Sequence, residues 1–212
     1  RSTTTGHKGP HQMSEAVYIV GGARTPMGGF QGDLADLSAV ELGATSIGEA
    51  LVRARLEGDA VNEVIMGCVL PAGLKQGPAR QAAMDAGIPV SVGATTINKL
   101  CGSGMKAAML GVDLIRAGTD DVVVAGGMES MTNSPYLLGK ARSGLRMGHG
   151  EVLDSMFTDG LEDAKTGRLM GSFAQEVADQ YQVTREDMDA FAIGSLTKAQ
   201  AAIKNGSLTA ET

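Results

Sequence analysis

The sequence lacks tryptophan, and aromatic residues make up only 3% of its 212 positions. A core with so few rings must be filled by aliphatic and sulfur-containing side chains, and methionine occurs 12 times. Glycine occurs 30 times, and glycine lets backbone segments approach one another closely. This composition favours an α/β fold over a β-sandwich.

Several functional classes are excluded by what else is scarce. The net charge of −6 comes without a basic stripe, which excludes nucleic acid as an expected partner. No apolar run approaches the roughly 20 residues that span a bilayer, so no membrane insertion is expected. Two cysteines do not make a disulfide framework, and no secretion signal is visible. We therefore expect a reducing, cytoplasmic compartment.

The first residues carry no structural pattern. Residues 1–12 are polar, and we expect them to be a disordered leader that precedes a native start at Met13. Without them, His149 is the only histidine, and no second histidine or cysteine stands near it at a ligand spacing. The sequence therefore predicts no metal site.

Apolar runs alternate with helical patterns through the first two thirds of the chain. The predicted strands are Ala16–Val20, Val61–Leu70, Gly93–Leu100 and Asp121–Ala125. The predicted helices are Leu37–Leu56, Pro78–Ala86 and Gly102–Ala117, followed after an aperiodic excursion (134–167) by Met170–Tyr181 and a helix from Thr184 to about Lys204. This alternation predicts an α/β fold whose largely parallel sheet is covered by helices.

Cys101 is the residue that the local sequence singles out for chemistry. It lies between a predicted strand and the predicted helix that begins at Gly102. Free N–H groups at a helix start carry a partial positive charge of about half an elementary unit, which favours the nucleophilic thiolate. The pattern predicts covalent catalysis at Cys101, with an inert, buried cysteine as the alternative. Cys68, inside an apolar run, is predicted to be a core residue.

The same stretch permits a different interpretation. The Gly-x-Gly-x-x-Ala form of the dinucleotide-binding fingerprint is matched by Gly102, Gly104 and Ala107. In this interpretation Glu129 would act as the acidic residue that binds the ribose. Such a unit usually opens its domain, whereas two predicted strands precede this one. The alternative function is therefore a non-catalytic binding module.

Several motifs resemble those of the thiolase family, in the family's order. Asn98–Ala107 resembles the thiolase nucleophile motif, Ala23–Phe30 the N-terminal signature, and Ala125–Met131 the turn after the fourth strand. The matches to the thiolase loop domain are Leu145–Gly148, Asp159–Leu161, Met170–Ala178 and Ser195–Lys204. The resemblance runs from about Glu15 to the end of the chain.

The resemblance implies a thiolase-like fold, with a mixed, mostly parallel sheet covered by helices and an inserted loop domain. Residues 13–131 would form the N-terminal α/β domain without its last strand. Residues 132–212 would form part of the loop domain, which acts as a lid and in tetramer formation and coenzyme A binding. A homo-oligomer, either a dimer or a tetramer, is the implied assembly.

The resemblance also implies acyl transfer on coenzyme A thioesters of the short-chain, acetyl-CoA acetyltransferase type. Cys101 would carry the acetyl group, with acetyl-CoA and acetoacetyl-CoA as substrates and no cofactor besides them. Gly102, Met147, Leu169 and Met170 would contact the substrate, with Met170 beside the pantetheine channel. Leu169 stands where short-chain members often have histidine.

Members of this family are about twice as long as this chain. Their second half supplies a Gly-His-Pro histidine that activates the nucleophile and a Cys-Gly-Gly cysteine that acts as acid and base. Neither motif occurs in this sequence. We therefore expect a first half that is incomplete for catalysis; a coenzyme A or dinucleotide binding module on the same fold is the alternative.

Overall fold

A three-stranded parallel sheet forms the centre of the molecule in the computed structural model, which describes residues 16–212. Its strands are β1 (Glu63–Gly67), β2 (Gly93–Ile97) and β3 (Val123–Gly127), in the order β2-β1-β3. The last residues of the three strands lie in register. The segments that follow them therefore leave from one edge of the sheet. The leader predicted at 1–12 lies outside the described residues.

Three helices cover the sheet. Helix α1 (Ala39–Ala54) begins with a capping box between Ser38 and Glu41, as its sequence predicts. Helix α2 (Pro78–Asp85) packs against α1, and the Ala79 N–H donates to the Thr96 hydroxyl of β2 at 3.0 Å. Helix α3 (Ser103–Arg116) packs on β1 and β3.

The core lies between β1 and the pair α1 and α2. Alternate side chains of β1, Val64 and Met66, join it, and both are buried. The other members of the core are aliphatic side chains, a cysteine and a methionine: Ala39, Val40, Ile47, Leu51, Val61, Cys68, Ala79, Ala82, Ala83, Ile88, Val92 and Met128. Burying one such large aliphatic side chain contributes about 1.5–3 kcal/mol, so this cluster fixes β1 against the two helices.

The chain after β3 has little of this packing. It contains a short antiparallel pair, β4 (Tyr136–Leu137) with β5 (Leu153–Asp154), and a π-helix (Met156–Leu161). Helix α4 (Met170–Gln180) and helix α5 (Arg185–Lys204) follow, and Thr184 and Asp187 form the predicted capping box of α5. Single 3-10 turns occur at Gly58–Ala60 and Met131–Asn133. In the part of the chain that the structure describes, neither α4 nor α5 packs extensively on another element.

The α/β class, with a parallel sheet covered by helices, is confirmed. Among the described residues, antiparallel pairing occurs apart from the main sheet, between β4 and β5 and in a single bridge between Glu162 and Leu169. Among residues 16–212, no helix is long and apolar enough to cross a membrane. The domain limits at 13–131 and 132–212 stay a prediction.

The strand predicted at Ala16–Val20 is wrong for this structure. The segment forms no ladder, and Ile19 is 96% exposed. A strand needs a neighbouring edge for its backbone groups, and the chain that follows this segment is held elsewhere. The Arg24 N–H donates to the Glu211 carbonyl at 2.8 Å, and Arg53 bonds the Gly22 and Ala210 carbonyls.

Candidate active site

Both cysteines and Glu129, which the sequence analysis discusses, lie at the carboxyl edge of the sheet. Cys68 directly follows β1, Cys101 lies four residues beyond β2, and Glu129 lies two residues beyond β3. In parallel sheets, ligands bind outside this edge. The topology therefore supports a site at this end of the molecule.

Cys101 lies on a tight turn between β2 and α3, which we call the elbow (residues 98–103). Leu100 has φ +50°, a left-handed conformation that costs a non-glycine residue on the order of 1–2 kcal/mol. Two successive bonds close the turn: the Gly102 N–H donates to the Lys99 carbonyl at 3.2 Å, and the Ser103 N–H to the Leu100 carbonyl at 3.0 Å. The Cys101 side chain is exposed at the tip of this turn.

Two polar side chains hold the elbow. The Ser103 hydroxyl donates to the Leu100 carbonyl at 2.6 Å and accepts from the Lys99 N–H at 2.8 Å. The Asn98 carboxamide accepts from the Leu100 N–H at 2.9 Å and donates to the Val69 carbonyl at 3.2 Å. Both peptide groups that flank Leu100 are thereby fixed.

The start of α3 lies against the sheet without room for side chains between them. A Cβ placed on Gly67 would come within 2.5 Å of the Ser103 Cβ. A Cβ on Gly104 would lie 3.6 Å from the Gly127 nitrogen, an ordinary van der Waals contact, and Ala107 is fully buried one turn on. Small residues at these positions therefore set the distance between the elbow and the sheet.

The beginning of α3 offers free hydrogen-bond donors. Within residues 16–212, the backbone N–H groups of Cys101, Gly104 and Met105 make no hydrogen bond, as is usual for a first helical turn. Such groups stabilise negative charge on a nearby sulfur or on an oxyanion. The arrangement therefore suits a thiol that attacks a carbonyl group.

Cys68 is buried, as its apolar run predicts, and only 1% of it is accessible. Burial raises the pKa of its thiol to about 12, and the Glu129 carboxylate, 3.6 Å from the sulfur, adds to the rise. Glu129 also accepts from the N–H groups of Val69 at 2.8 Å and Leu70 at 3.0 Å. The carboxylate that a dinucleotide ribose would require is thus occupied by the chain's own backbone.

A cavity of about 600 Å³ opens beside the elbow. Val69, Pro71, Asn98 and Leu100 line one side of it, and the other is lined by Thr158, Asp159, Glu162, Asp163 and Ala164. Asp159, Glu162 and Asp163 give the second side an acidic character, and bonds from the Thr166 hydroxyl and N–H lower the pKa of Asp163. An anionic ligand is disfavoured there.

The other predicted substrate contacts lie in three parts of the chain. Gly102 is the N-cap of α3 and adjoins Cys101. Met147 lies 97% exposed in the segment between β4 and β5, and Leu169 and Met170 lie exposed at the start of α4. His149 is exposed, and within the described residues no group of three or more His, Cys, Asp or Glu side chains could hold a metal ion.

Sequence reasoning missed the residues that shape the elbow. Asn98 two positions before Leu100 is typical of an Asx turn, and this signal was present in the sequence. Ser103 is the first residue of α3 and not its N-cap, so the usual capping pattern does not indicate its bonds. The role of Gly67 had no local signal, because its neighbour Ser103 is distant along the chain.

Comparison with known proteins places these features in one family. The sequence profile described as "Thiolase, N-terminal domain" matches residues 17–212. Acetyl-CoA acetyltransferase of Pseudomonas aeruginosa is 52% identical over 190 residues, covering 90% of this chain and 48% of that protein. Acetyl-CoA acetyltransferase of Escherichia coli is 50% identical over 194 residues, covering 91% of this chain and 49% of that protein.

A solved structure matches the fold as well. The Acat5 thiolase from Ascaris suum, crystallised in complex with coenzyme A, has a TM-score of 0.89 and is 40% identical. The match covers 92% of this chain and 50% of that one. The chain therefore spans about half the length of the relatives that it matches.

Proposed function

Because the chain belongs to the thiolase family, we propose that it carries the nucleophile of an acetyl-CoA acetyltransferase. In this function the Cys101 thiol accepts an acetyl group from a coenzyme A thioester. The observation that carries the proposal is an exposed thiol on a left-handed turn, directly before the free N–H groups of α3. The acetyl-CoA acetyltransferases of two bacteria, each about 50% identical to this chain, support the choice of acyl group.

The proposed step is a thioester exchange. The Cys101 sulfur forms a bond to the acetyl carbonyl carbon, and the bond from that carbon to the coenzyme A sulfur breaks. The proton of the Cys101 thiol ends on coenzyme A, which leaves as a thiol. The tetrahedral intermediate carries an oxyanion, and the unoccupied N–H of Cys101 is a donor for it.

The full reaction requires more than this chain provides. Cleavage of acetoacetyl-CoA, or condensation of two acetyl-CoA molecules, needs a base for the thiol and an acid/base for the second substrate. The thiolase resemblance assigns these to a histidine and a cysteine of the second half, and the Gly-His-Pro and Cys-Gly-Gly motifs are not in this sequence. We therefore propose that the chain performs acylation slowly, and the complete reaction only with those groups supplied.

Substrate contacts are proposed at the predicted positions. Gly102 beside the thiol leaves space for a thioester, because it carries no side chain. Met147, Leu169 and Met170 are proposed to contact the pantetheine arm, and their exposed side chains are available for it. No cofactor other than the coenzyme A thioester is part of the proposal.

Association of the chain with itself is part of the proposal. Strand β2 lies at an edge of the sheet, with unpaired backbone groups on its outer side. Met105 and Met109 are exposed on helix α3. We propose a dimer or tetramer, and, since both cysteines are free, a reducing, cytoplasmic compartment. Size-exclusion chromatography with light scattering tests the assembly, and a monomer at micromolar concentration would contradict it.

The acylation proposal is tested by incubating the chain with acetyl-CoA and mapping acetyl groups by mass spectrometry. We expect acetyl on Cys101 only, with release of one coenzyme A for each acetyl group. Cys101→Ala should abolish the adduct, and Cys68→Ala should retain it. Adducts on lysines alone, or none at all, would contradict acyl transfer by this chain.

Calorimetry separates the enzyme from the binding module. If NAD binds tightly and the binding survives Cys101→Ala, the module is the better description. We expect no NAD binding, since Glu129 is committed to the Val69 and Leu70 backbone.

A further inference from the structure

The elbow holds Leu100 in a conformation that its side chain does not favour. Leucine has no polar group to stabilise a left-handed backbone, and the Leu100 side chain is exposed, so core packing does not hold it. Strained residues of this kind persist only when surrounding contacts over-determine them, and they concentrate at functional sites. The contacts that do so here come from two side chains.

Ser103 makes the main contact. It is 5% exposed, and its hydroxyl uses both its donor and an acceptor lone pair on the backbone before Cys101, at the Leu100 carbonyl and the Lys99 N–H. Ser103 is also the first residue of α3, so it links the helix start back to the turn that precedes it. The helix and the elbow therefore form one hydrogen-bonded unit.

Asn98 makes the second contact. Its carboxamide joins the Leu100 N–H to the Val69 carbonyl, which follows the neighbouring strand. The elbow is thereby tied to two strands and one helix. Because Gly67 leaves no space behind Ser103, the serine cannot withdraw toward the sheet.

We propose that Ser103, assisted by Asn98, is a positioning residue that fixes the direction of the Cys101 thiol by holding Leu100 in its left-handed conformation. This proposal rests on the proposed function, in which Cys101 is the nucleophile. Without the clamp, Leu100 relaxes to a common backbone region. The position of the Cys101 thiol relative to the free N–H groups at the start of α3 then changes.

The test measures the rate at which iodoacetamide alkylates Cys101 in the full chain. We expect Ser103→Ala to slow alkylation about fivefold, the order of effect that a helix N-terminus has on a nearby anion. Ser155→Ala is the matched control, because Ser155 is 1% exposed and its hydroxyl donates to the Pro135 carbonyl at the same 2.6 Å. The control should lose similar thermal stability and keep the wild-type alkylation rate.

A rescue experiment separates positioning from general stability. Glycine adopts positive φ readily, so Leu100→Gly in the Ser103→Ala background should restore alkylation to within about twofold of the wild type. If the Ser103 hydroxyl only stabilised α3, a change at Leu100 would not restore the alkylation rate of Cys101. Unchanged slow alkylation in the double variant would overturn the proposal.

If Ser103→Ala does not fold, Asn98→Ala tests the same proposal. The Asn98 side chain is exposed, so its truncation leaves the core intact. We expect about twofold slower alkylation, again rescued by Leu100→Gly. An alkylation rate equal to wild type in Asn98→Ala, or equal losses in Ser103→Ala and Ser155→Ala, would also overturn the proposal.

Acetylation by acetyl-CoA distinguishes this proposal from the proposed function. If the wild type is not acetylated, the proposed function fails, while the alkylation series still reports on the elbow. If the wild type is acetylated and Ser103→Ala is acetylated equally fast, the positioning role alone fails. We expect wild-type acetylation and at least a fivefold loss in Ser103→Ala.

Discussion

The two cysteines follow neighbouring strands of one parallel sheet, yet their surroundings differ in every respect that governs reactivity. Cys68 continues β1 into the core, beside the negative charge of Glu129. Cys101 follows the left-handed residue Leu100 and directly precedes the start of α3, where backbone N–H groups are unoccupied. One thiol is hidden and kept neutral, while the other is exposed at a positive helix end. The backbone of the few residues after each strand makes this difference.

The largest expected effect is the contrast in chemical reactivity itself. At pH 8 a thiol with a pKa of about 12 is ionised to only about one part in ten thousand, and Cys68 is also shielded from solvent. We expect iodoacetamide to modify Cys101 at least about 1,000-fold faster than Cys68. Peptide mass spectrometry over a time course measures both rates. In urea the two rates should converge, and a folded-state ratio below tenfold would break the comparison.

The next largest effect is expected at Gly67. Gly67→Ala would place a Cβ within 2.5 Å of the Ser103 Cβ, and overpacking of this kind costs about 1–3 kcal/mol. The start of α3 must shift, so the alkylation rate of Cys101 should also fall. Denaturant unfolding measures the stability. Gly22→Ala is the control, because nothing lies within 4 Å of its Cβ; equal losses in both variants would show that the close contact is unimportant.

The raised pKa of Cys68 predicts an alkaline loss of stability. Between its ordinary value near 9 and about 12, the thiol ionises in the unfolded chain and stays protonated in the folded one. The unfolded state then binds fewer protons, so the free energy of unfolding falls as pH rises, by up to about 1.4 kcal/mol per unit. Urea unfolding at pH 8 and pH 10 should show a larger loss of stability with pH in the wild type than in Cys68→Ala. Parallel losses in the two proteins would mean that Cys68 is not the source.

The smallest expected effect is at Glu129. Glu129→Gln keeps an acceptor oxygen but loses the charge that strengthens its bonds to Val69 and Leu70, and we expect a loss of about 1 kcal/mol. Removing the negative charge also lowers the pKa of Cys68. Glu176→Gln is the control, since Glu176 forms an exposed ion pair with Arg168, worth under about 1 kcal/mol. Thermal unfolding measures the stability of both variants. A larger loss of stability in Glu176→Gln than in Glu129→Gln would contradict the structural role of Glu129.

Sequence patterns predicted most helices and strands, because helix caps and glycines at the ends of elements are local signals. The capping boxes at Ser38 and Thr184 are confirmed, and the predicted helix after Cys101 begins one residue later than expected. The strand at Ala16–Val20 was wrong, since β propensity does not provide a partner edge.

Cys101 as the nucleophile stays a prediction, and the geometry around it was not predicted from the sequence. A cysteine at a helix start is readable in the sequence, whereas the left-handed Leu100 is not, because leucine rarely adopts positive φ. Glu129 was interpreted as a possible ribose ligand; its bonds to Val69 and Leu70 depend on how β1 and β3 pair. Such contacts arise from tertiary structure and leave no local pattern. The roles of Gly102, Met147, Leu169 and Met170 stay predictions.

The bond from the Ser103 hydroxyl back to Leu100 has a consequence for the chain before it folds. A short peptide with the sequence 98–107 has no sheet behind it, so nothing prevents Ser103 from turning to water and Leu100 from relaxing. A newly made chain therefore presents two ordinary thiols. They become chemically distinct only when β1, β2 and α3 have come together, so the reactivity proposed for Cys101 is a product of folding.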